Sequence, residues 1–330
     1  MAGDRCAEGS MIVGALGDAI SSWYAANNNL INTIGLNAIL ALSIYVMLAC
    51  GQLSLASSGY MAIGAYTAAL LTTNAHWPFW AQILAGMALA GAIALLLGLP
   101  LLRLRGVYLA ISTVGFVAVV QIFFTNWGPG GGGGGTGFIP ATTRTWQIYL
   151  ALAALCFLFW RLEGSAIGRS FAAIRQDEEA ARSLGIDPVA HKLGAFAVSG
   201  LIAGLAGVLY ARLHFFVQPS DFNFDLAVNT LIYVIVGGSF TFLGSVIGAL
   251  IITALPEVLR FLQSAPSGSR DIVQGAILLL VILFLPGGLV ELPARLWRLV
   301  QPRRSRHPTM PADGGTTEPV LSIDAPGGDG

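Results

Sequence analysis

Charge is what this chain has least of. Only 10% of its 330 residues are Asp, Glu, Lys or Arg, while 55% are apolar and the mean hydropathy is +0.73. Soluble domains carry about 25% charged residues, so an ordinary soluble domain is excluded and a polytopic membrane protein remains. The formal net charge of zero identifies no partner. Cysteine is scarce too: Cys6, Cys50 and Cys156 are scattered, two of them inside apolar segments, so neither a disulfide framework nor a metal cluster is expected. The four histidines (His76, His191, His214, His307) stand alone and no HExxH pair occurs, which gives no metal site. The glycine tract Gly128–Gly137 lacks a Gly-Lys-Ser/Thr ending and a preceding strand, so it reads as a flexible external loop rather than a phosphate cradle. No nucleophile–base pair can be assembled from adjacent residues. If this chain takes part in active transport, another chain must supply the energy. The first ten residues lack the apolar run of a secretory leader and any lipobox before Cys6, so no cleavage is expected.

The apolar runs set the architecture. A bilayer core needs about 20 apolar residues per helix. Leu30–Cys50, Phe79–Leu102, Val107–Asn126, Thr145–Trp160, Leu193–Val217 and Ile272–Val290 meet or approach that length. Leu226–Gly238 and Phe240–Leu259 form a pair, with Gly237, Gly238, Gly244 and Gly248 at the bend and along the second limb of a tight hairpin. Gly51–Thr72 is apolar overall but carries Gly51, Gln52, Ser54, Ser57, Ser58, Gly59 and Gly64. Unwound backbone survives at membrane depth only where protein or a wet cavity covers it, so this segment is the candidate broken or re-entrant helix. The class is therefore all-α, a polytopic transmembrane helix bundle of about eight or nine segments. Residues 1–29 form a polar or amphipathic N-terminal segment, with Met11–Ala26 suited to a helix on the membrane surface. Residues 30–292 form the membrane domain. Residues 293–330 are a basic and then Pro/Gly/acidic tail of disordered composition.

Intramembrane charge, the usual mark of ion-coupled carriers, is nearly missing. Arg212, Asp221, Asp225, Arg260 and Asp271 lie at segment ends. Glu257, after Pro256, comes nearest to an intramembrane acid and reads as an interface cap or helix partner. Orientation follows the basic residues. Arg103 and Arg105, the stretch 161–192 and the Arg cluster from Arg295 to Arg306 share the cytoplasmic side. The loops at Ala75–Pro78, 127–144 and 218–225, with Arg144 as their only Arg or Lys, lie outside.

The one strongly polar stretch is 161–192, and an Arg, Lys or Asp at a bilayer centre costs about 2.5–3.5 kcal/mol. It must be a water-exposed cytoplasmic loop. Within it Ile167, Phe171, Ile174, Ala181 and Leu184 fall on one helical face, interrupted by Glu178 and rimmed by Arg169, Arg175 and Arg182. Gly185 stops the helix as a C′ residue and Pro188 follows. Such a helix suits a partner's groove or the membrane surface.

At this loop the sequence resembles permease subunits of branched-chain amino acid ABC transporters of the LivM type. Their motif GRxxxAIRxxExAAxxxGI reads here as Gly168-Arg169, Ala173-Ile174-Arg175, Asp177-Glu178, Ala180-Ala181 and Gly185-Ile186. Lys192-Leu193 and AGLAG at Ala203–Gly207 follow. GQLSL at Gly51–Leu55, IGAYTAALL at Ile63–Leu71, GVYLAISTVGF at Gly106–Phe116, LPE at Leu255–Glu257 and FLPGGL at Phe284–Leu289 are also similar to that family. Two departures stand out: residues 1–29 are too polar for the extra first span common in the family, and the Gly130–Gly135 run replaces its Thr-Gly-Gly outer loop.

The resemblance implies an inner-membrane permease forming half of an importer's path, with no catalytic residue and no cofactor of its own. The implied partners are a second permease, two cytoplasmic ATPases that bind ATP and a periplasmic substrate-binding protein, besides membrane lipid; nucleic acid is not expected. It also implies that Gly168, Arg169, Phe171, Ile174, Arg175, Glu178 and Gly185 dock the ATPase through a helix at 168–186. Candidates for lining the path are Gln52, Ser54, Ser57, Ser58, Tyr66, Tyr108, Ser112, Thr113 and Asn229, against the alternative that each only bonds a neighbouring helix. The cluster at 51–67 rises above that alternative. A permease for urea or short amides, and a stand-alone ion-coupled carrier, stay open as other readings.

Overall fold

The computed structural model describes residues 27–75, 77–104, 106–127, 136–137, 143–214, 216–238, 241–259 and Gly275. The surface helix expected before residue 27, most of the glycine tract, the last span at 272–290 and the C-terminal tail lie outside these. The helices are α1 (Asn27–Ala49), α2 (Ser57–Ala75), α3 (Phe79–Leu101), α4 (Val107–Asn126) and α5 (Thr145–Glu163). Two short helices follow, α6 (Ala166–Gln176) and α7 (Glu178–Ser183), and then α8 (Pro188–Leu213), α9 (Phe224–Gly237) and α10 (Phe242–Leu259).

Five helices, α1, α3, α4, α5 and α8, are long and apolar enough to cross a membrane, and the pair α9–α10 makes a sixth if counted as one bent span. The sequence reading of eight or nine is higher for three reasons. One expected span lies outside the described residues. The α9–α10 pair is bent by 118°, and the 14 residues of α9 reach only about 21 Å, short of a core of about 30 Å. Helix α2, 19 residues long, is diluted by serine, threonine and glycine.

That dilution has a physical logic. Between Ser57 and Tyr66 every residue of α2 is buried, although α2 is less apolar than the helices around it. The more apolar α3, α4 and α5 have mostly exposed windows. In lipid no hydrophobic force drives helices together, so apolar residues face the acyl chains and small residues let backbones meet. Helix α8 carries this out with three glycines. A Cβ on Gly204 would lie 2.7 Å from Ala90 Cβ on α3, and one on Gly200 would lie 2.8 Å from the Ala90 carbonyl oxygen. A Cβ on Gly207 would land on the Met61 carbonyl of α2. The small-residue spacing read from the sequence thus seats α8 between α2 and α3. Ser43 of α1 donates to the Ser199 carbonyl of α8 at 3.0 Å, in a fully buried contact.

Two further features fix the ends. The segments before α5 and after α8 meet in a two-residue antiparallel ladder, Thr136 opposite Val217 and Gly137 opposite Phe216. At the other end α9 turns into α10 through Gly238, whose φ of +119° excludes most side chains. The hairpin expected from the glycines at 237–248 is present, since Cβ atoms on Gly237 and Gly248 would strike the backbone of the facing limb.

Candidate functional site

Helix α1 ends in a Schellman motif. Gly51, at φ +75°, donates to the Leu48 carbonyl at 3.0 Å, and Gln52 donates to the Met47 carbonyl at 2.9 Å. From this corner residues 52–55 run without helical structure towards α4, where the Leu55 amide donates to Thr113 Oγ1 at 3.0 Å. Helix α2 then begins at Ser57, inside the bundle. The break expected somewhere in 51–72 is therefore confined to 51–56, and the rest is continuous helix.

This short break gathers polar side chains away from solvent. Gln52, Ser54, Ser57, Ser58 and Thr113 are each at most 5% exposed. Thr113 is satisfied, donating to the Ala110 carbonyl at 2.8 Å, and Ser54 Oγ accepts from the Ala56 amide at 3.4 Å. Among the described residues nothing bonds to Gln52 Oε1, Ser57 Oγ, Ser58 Oγ or Tyr60 OH. Buried polar groups are nearly always paired, and an orphan costs about 1–3 kcal/mol. Four orphans within nine residues are a concentrated cost. The first turn of α2 holds no acidic residue, so its positive dipole end has no carboxylate from that turn. The seam can offer hydroxyls, an amide and a helix N-terminus to a small polar solute.

Other path candidates divide. Tyr66 is buried and stacks on Phe124 with ring centroids 4.0 Å apart. Ser112 is half-buried and Asn229 is exposed. Tyr108 is 74% exposed: the buried stripe of α4 runs through Leu109, Ala110, Thr113, Val117 and Val120, and Tyr108 lies on the face turned away from it.

The polar loop is two helices rather than one. Asp177 is extended, with φ −154° and ψ 115°, and its Oδ1 accepts the amides of Glu179 and Ala180 at 2.9 and 3.1 Å. An aspartate that caps a new helix ends the preceding one. The expected apolar stripe is split by this break. Phe171, Ile174 and Ala181 are buried against the chain's own bundle, whereas Ile167 is 49% and Leu184 is 78% exposed.

The remaining docking candidates also have internal tasks. Gly168 sits on the α5–α6 turn, where a Cβ would meet the Glu163 carbonyl oxygen at 2.8 Å. Gly185, at φ +81°, ends α7. Glu178 pairs with Arg182 at 2.9 Å and with Lys192 of α8 at 2.6 Å, which ties α7 to α8. Arg169 is exposed, its Nη1 donating to the Gly164 carbonyl at 3.2 Å. Arg175 is half-buried, and its Cα lies 3.1 Å from where a Gly51 Cβ would be. The outward surface of the pair is thus Ile167, Arg169, Arg182 and Leu184, and the inward surface rests on the corner that leads to the polar seam.

Two groups were not legible as functional from residues alone. Glu163, one acid among several in a charged stretch, accepts from Tyr45 OH at 2.6 Å and from the Phe242 amide at 3.2 Å. It joins α1, α5 and the start of α10 just before α6. In the last turn of α8, Arg212, 7% exposed, donates to Gln82 Oε1 at 2.9 Å and lies over the Phe79 ring at 5.0 Å. Neither charge has a period to betray its partner, since Glu163 lies in a charged stretch and Arg212 ends an apolar run. Among the described residues no group of three His, Cys, Asp or Glu side chains could hold a metal ion.

Comparison with known proteins adds the following. The family described as "Branched-chain amino acid transport system / permease component" matches residues 27–282. The high-affinity branched-chain amino acid transport system permease protein LivM of Escherichia coli (strain K12) is 33% identical over 294 residues, covering 78% of this chain and 67% of that protein. LivM of Salmonella typhimurium (strain LT2) is 35% identical over 295 residues, with the same coverage. The autoinducer 2 import system permease protein LsrC of Escherichia coli O9:H4 (strain HS) is 31% identical over 142 residues, 41% of each chain. No solved structure matches.

Proposed function

Since the chain belongs to the family of branched-chain amino acid transport system permease components, a multi-pass inner-membrane group of ABC importer subunits, we propose that its solute is a branched-chain amino acid. It forms half of the path, a second permease the other half. Two cytoplasmic ATPases supply the energy and bind the ATP, a periplasmic binding protein delivers the solute, and this chain contributes no cofactor and no catalytic residue.

The observation that carries this reading is the contact between α6 and the corner that opens into the polar seam. Ile167 and Leu184 face outward from α6 and α7. The Arg175 backbone on the inner side abuts Gly51. From Gly51 the chain runs directly into the seam of Gln52, Ser57, Ser58 and Tyr60. A push on α6 reaches the seam through the close approach of Arg175 to Gly51 and the short run of chain that follows it. The solute's ammonium and carboxylate would exchange water for the seam's hydroxyls, its amide and the N-terminus of α2. Weak neutral contacts suit a path, because a charged partner would hold the solute too long to release it.

The test is reconstitution. Ile167→Glu and Leu184→Glu place charge on the outward surface without touching the buried stripe. Each is expected to abolish co-purification of the ATPase subunits and leucine uptake while the chain still accumulates in the membrane. Uptake that survives both changes would remove the docking role. Uptake of another solute in the complete assembly, with leucine, isoleucine and valine neither carried nor competing, would remove the substrate.

A further inference from the structure

Beneath α6 lies a cavity distinct from the polar seam. Its volume is about 250 Å³, and its walls include Val46 and Ala49 of α1, Glu163 at the end of α5, and Phe171, Ala172 and Arg175 of α6. Both hydrogen bonds to Glu163 fall on Oε1, and among the described residues nothing donates to Oε2. The wall is therefore made of one carboxylate with acceptor capacity to spare, one guanidinium, and apolar or aromatic surface. Pockets for drug-sized ligands run about 300–1,000 Å³, so this one suits a smaller molecule. A compact solute carrying both an ammonium and a carboxylate on an apolar body matches all three kinds of wall at once.

We propose that this cavity is a cytosolic-side binding site for an apolar α-amino acid: the ammonium meets Glu163, the carboxylate meets Arg175, and the side chain lies against Phe171, Val46 and Ala49. The assignment follows from the cavity's own walls and does not require the seam to carry the same solute. Occupancy ties α6 to α1 and α5, so it holds the docking pair in one position and slows uptake when the solute is abundant inside. That makes the site a product sensor built where the ATPase would push.

The experiment uses the full chain in inside-out membrane vesicles, with Cys6, Cys50 and Cys156 changed to serine and an Ala172→Cys reporter. Ala172 is exposed and lines the cavity. Leucine is expected to slow its labelling by a membrane-impermeant maleimide, while 4-methylpentanoate and 3-methylbutylamine, each carrying one of the two charges, do so only at higher concentration. Glu163→Gln keeps an acceptor for Tyr45 and the Phe242 amide but removes the charge. It should raise the half-protecting leucine concentration about tenfold or more, the scale of one charge-assisted hydrogen bond, and Arg175→Gln should act alike. Three results would overturn the proposal: no protection by leucine, equal protection by either half-molecule, or protection lost with Ser58→Ala but kept with Glu163→Gln, which would place the ligand in the seam. If uptake of leucine fails in the assembly but protection persists, the path reading fails and this site stands.

Discussion

Replacing Ser58 by alanine should make the protein more stable and a poorer transporter. Ser58 is fully buried, and its Oγ has no partner among the described residues. A buried polar atom without a bond costs about 1–3 kcal/mol. Removing it recovers that cost, and alanine is the better helix former by about 0.5 kcal/mol, against a loss of little packing volume. A net gain of about 1–2 kcal/mol is expected, after allowing for the small cavity left by the missing oxygen. At about 2–4 °C per kcal/mol for a domain of this size, the midpoint of heat-induced loss from solution, followed by size-exclusion chromatography, should rise by several degrees. Transport should move the other way. A hydrogen bond to a charged group of the solute contributes about 1.5–3 kcal/mol, so leucine uptake by the full assembly should fall about tenfold or more. A fall in stability would mean that the hydroxyl is bonded within the protein, and unchanged uptake would mean that the seam is not the path. Either result breaks the link between orphaned polarity and function on which the site rests.

Two other perturbations follow from the same geometry. The Glu178–Lys192 contact, 2.6 Å long and partly shielded, ties α7 to α8; Glu178→Lys should cut uptake severalfold, and adding Lys192→Glu should restore much of it, as a double-mutant cycle on uptake and ATPase co-purification would record. Gly207→Val forces a branched side chain onto the Met61 carbonyl and the Ala65 amide of α2; overpacking of this kind costs about 1–3 kcal/mol or more, and the variant should fail to accumulate in the membrane, whereas Gly194→Val, at a position with open space, should accumulate normally.

What could be read from residues, and what could not, divides along physical lines. Spans announce themselves because lipid demands a long apolar run, and α1, α3, α4, α5 and α8 fall where such runs lie. Close helix approach is also written locally: Gly200, Gly204 and Gly207 on α8 needed only their spacing to be recognised. The break before α2 was visible as glycine, glutamine and serine in an apolar stretch, although its extent was not, because Ser57 and Ser58 tolerate both a helix start and an unwound chain. The direction of an amphipathic face is a different matter. The stripe of α6 was legible, but a stripe states only that something covers it. That Phe171 and Ile174 meet their own bundle while Ile167 and Leu184 stay exposed is decided by packing, and the single helix expected is two because of Asp177. This residue looked like one more charge in a charged loop and in fact ends one helix by capping the next. Glu163 shows the same limit more sharply, since the groups it joins, Tyr45 and the Phe242 amide, lie 118 and 79 residues away. Local chemistry thus fixes where the chain enters the membrane and how closely helices can meet. Which polar groups share a partner is decided by packing, and the seam and the cavity beneath α6 both belong to that second kind of information.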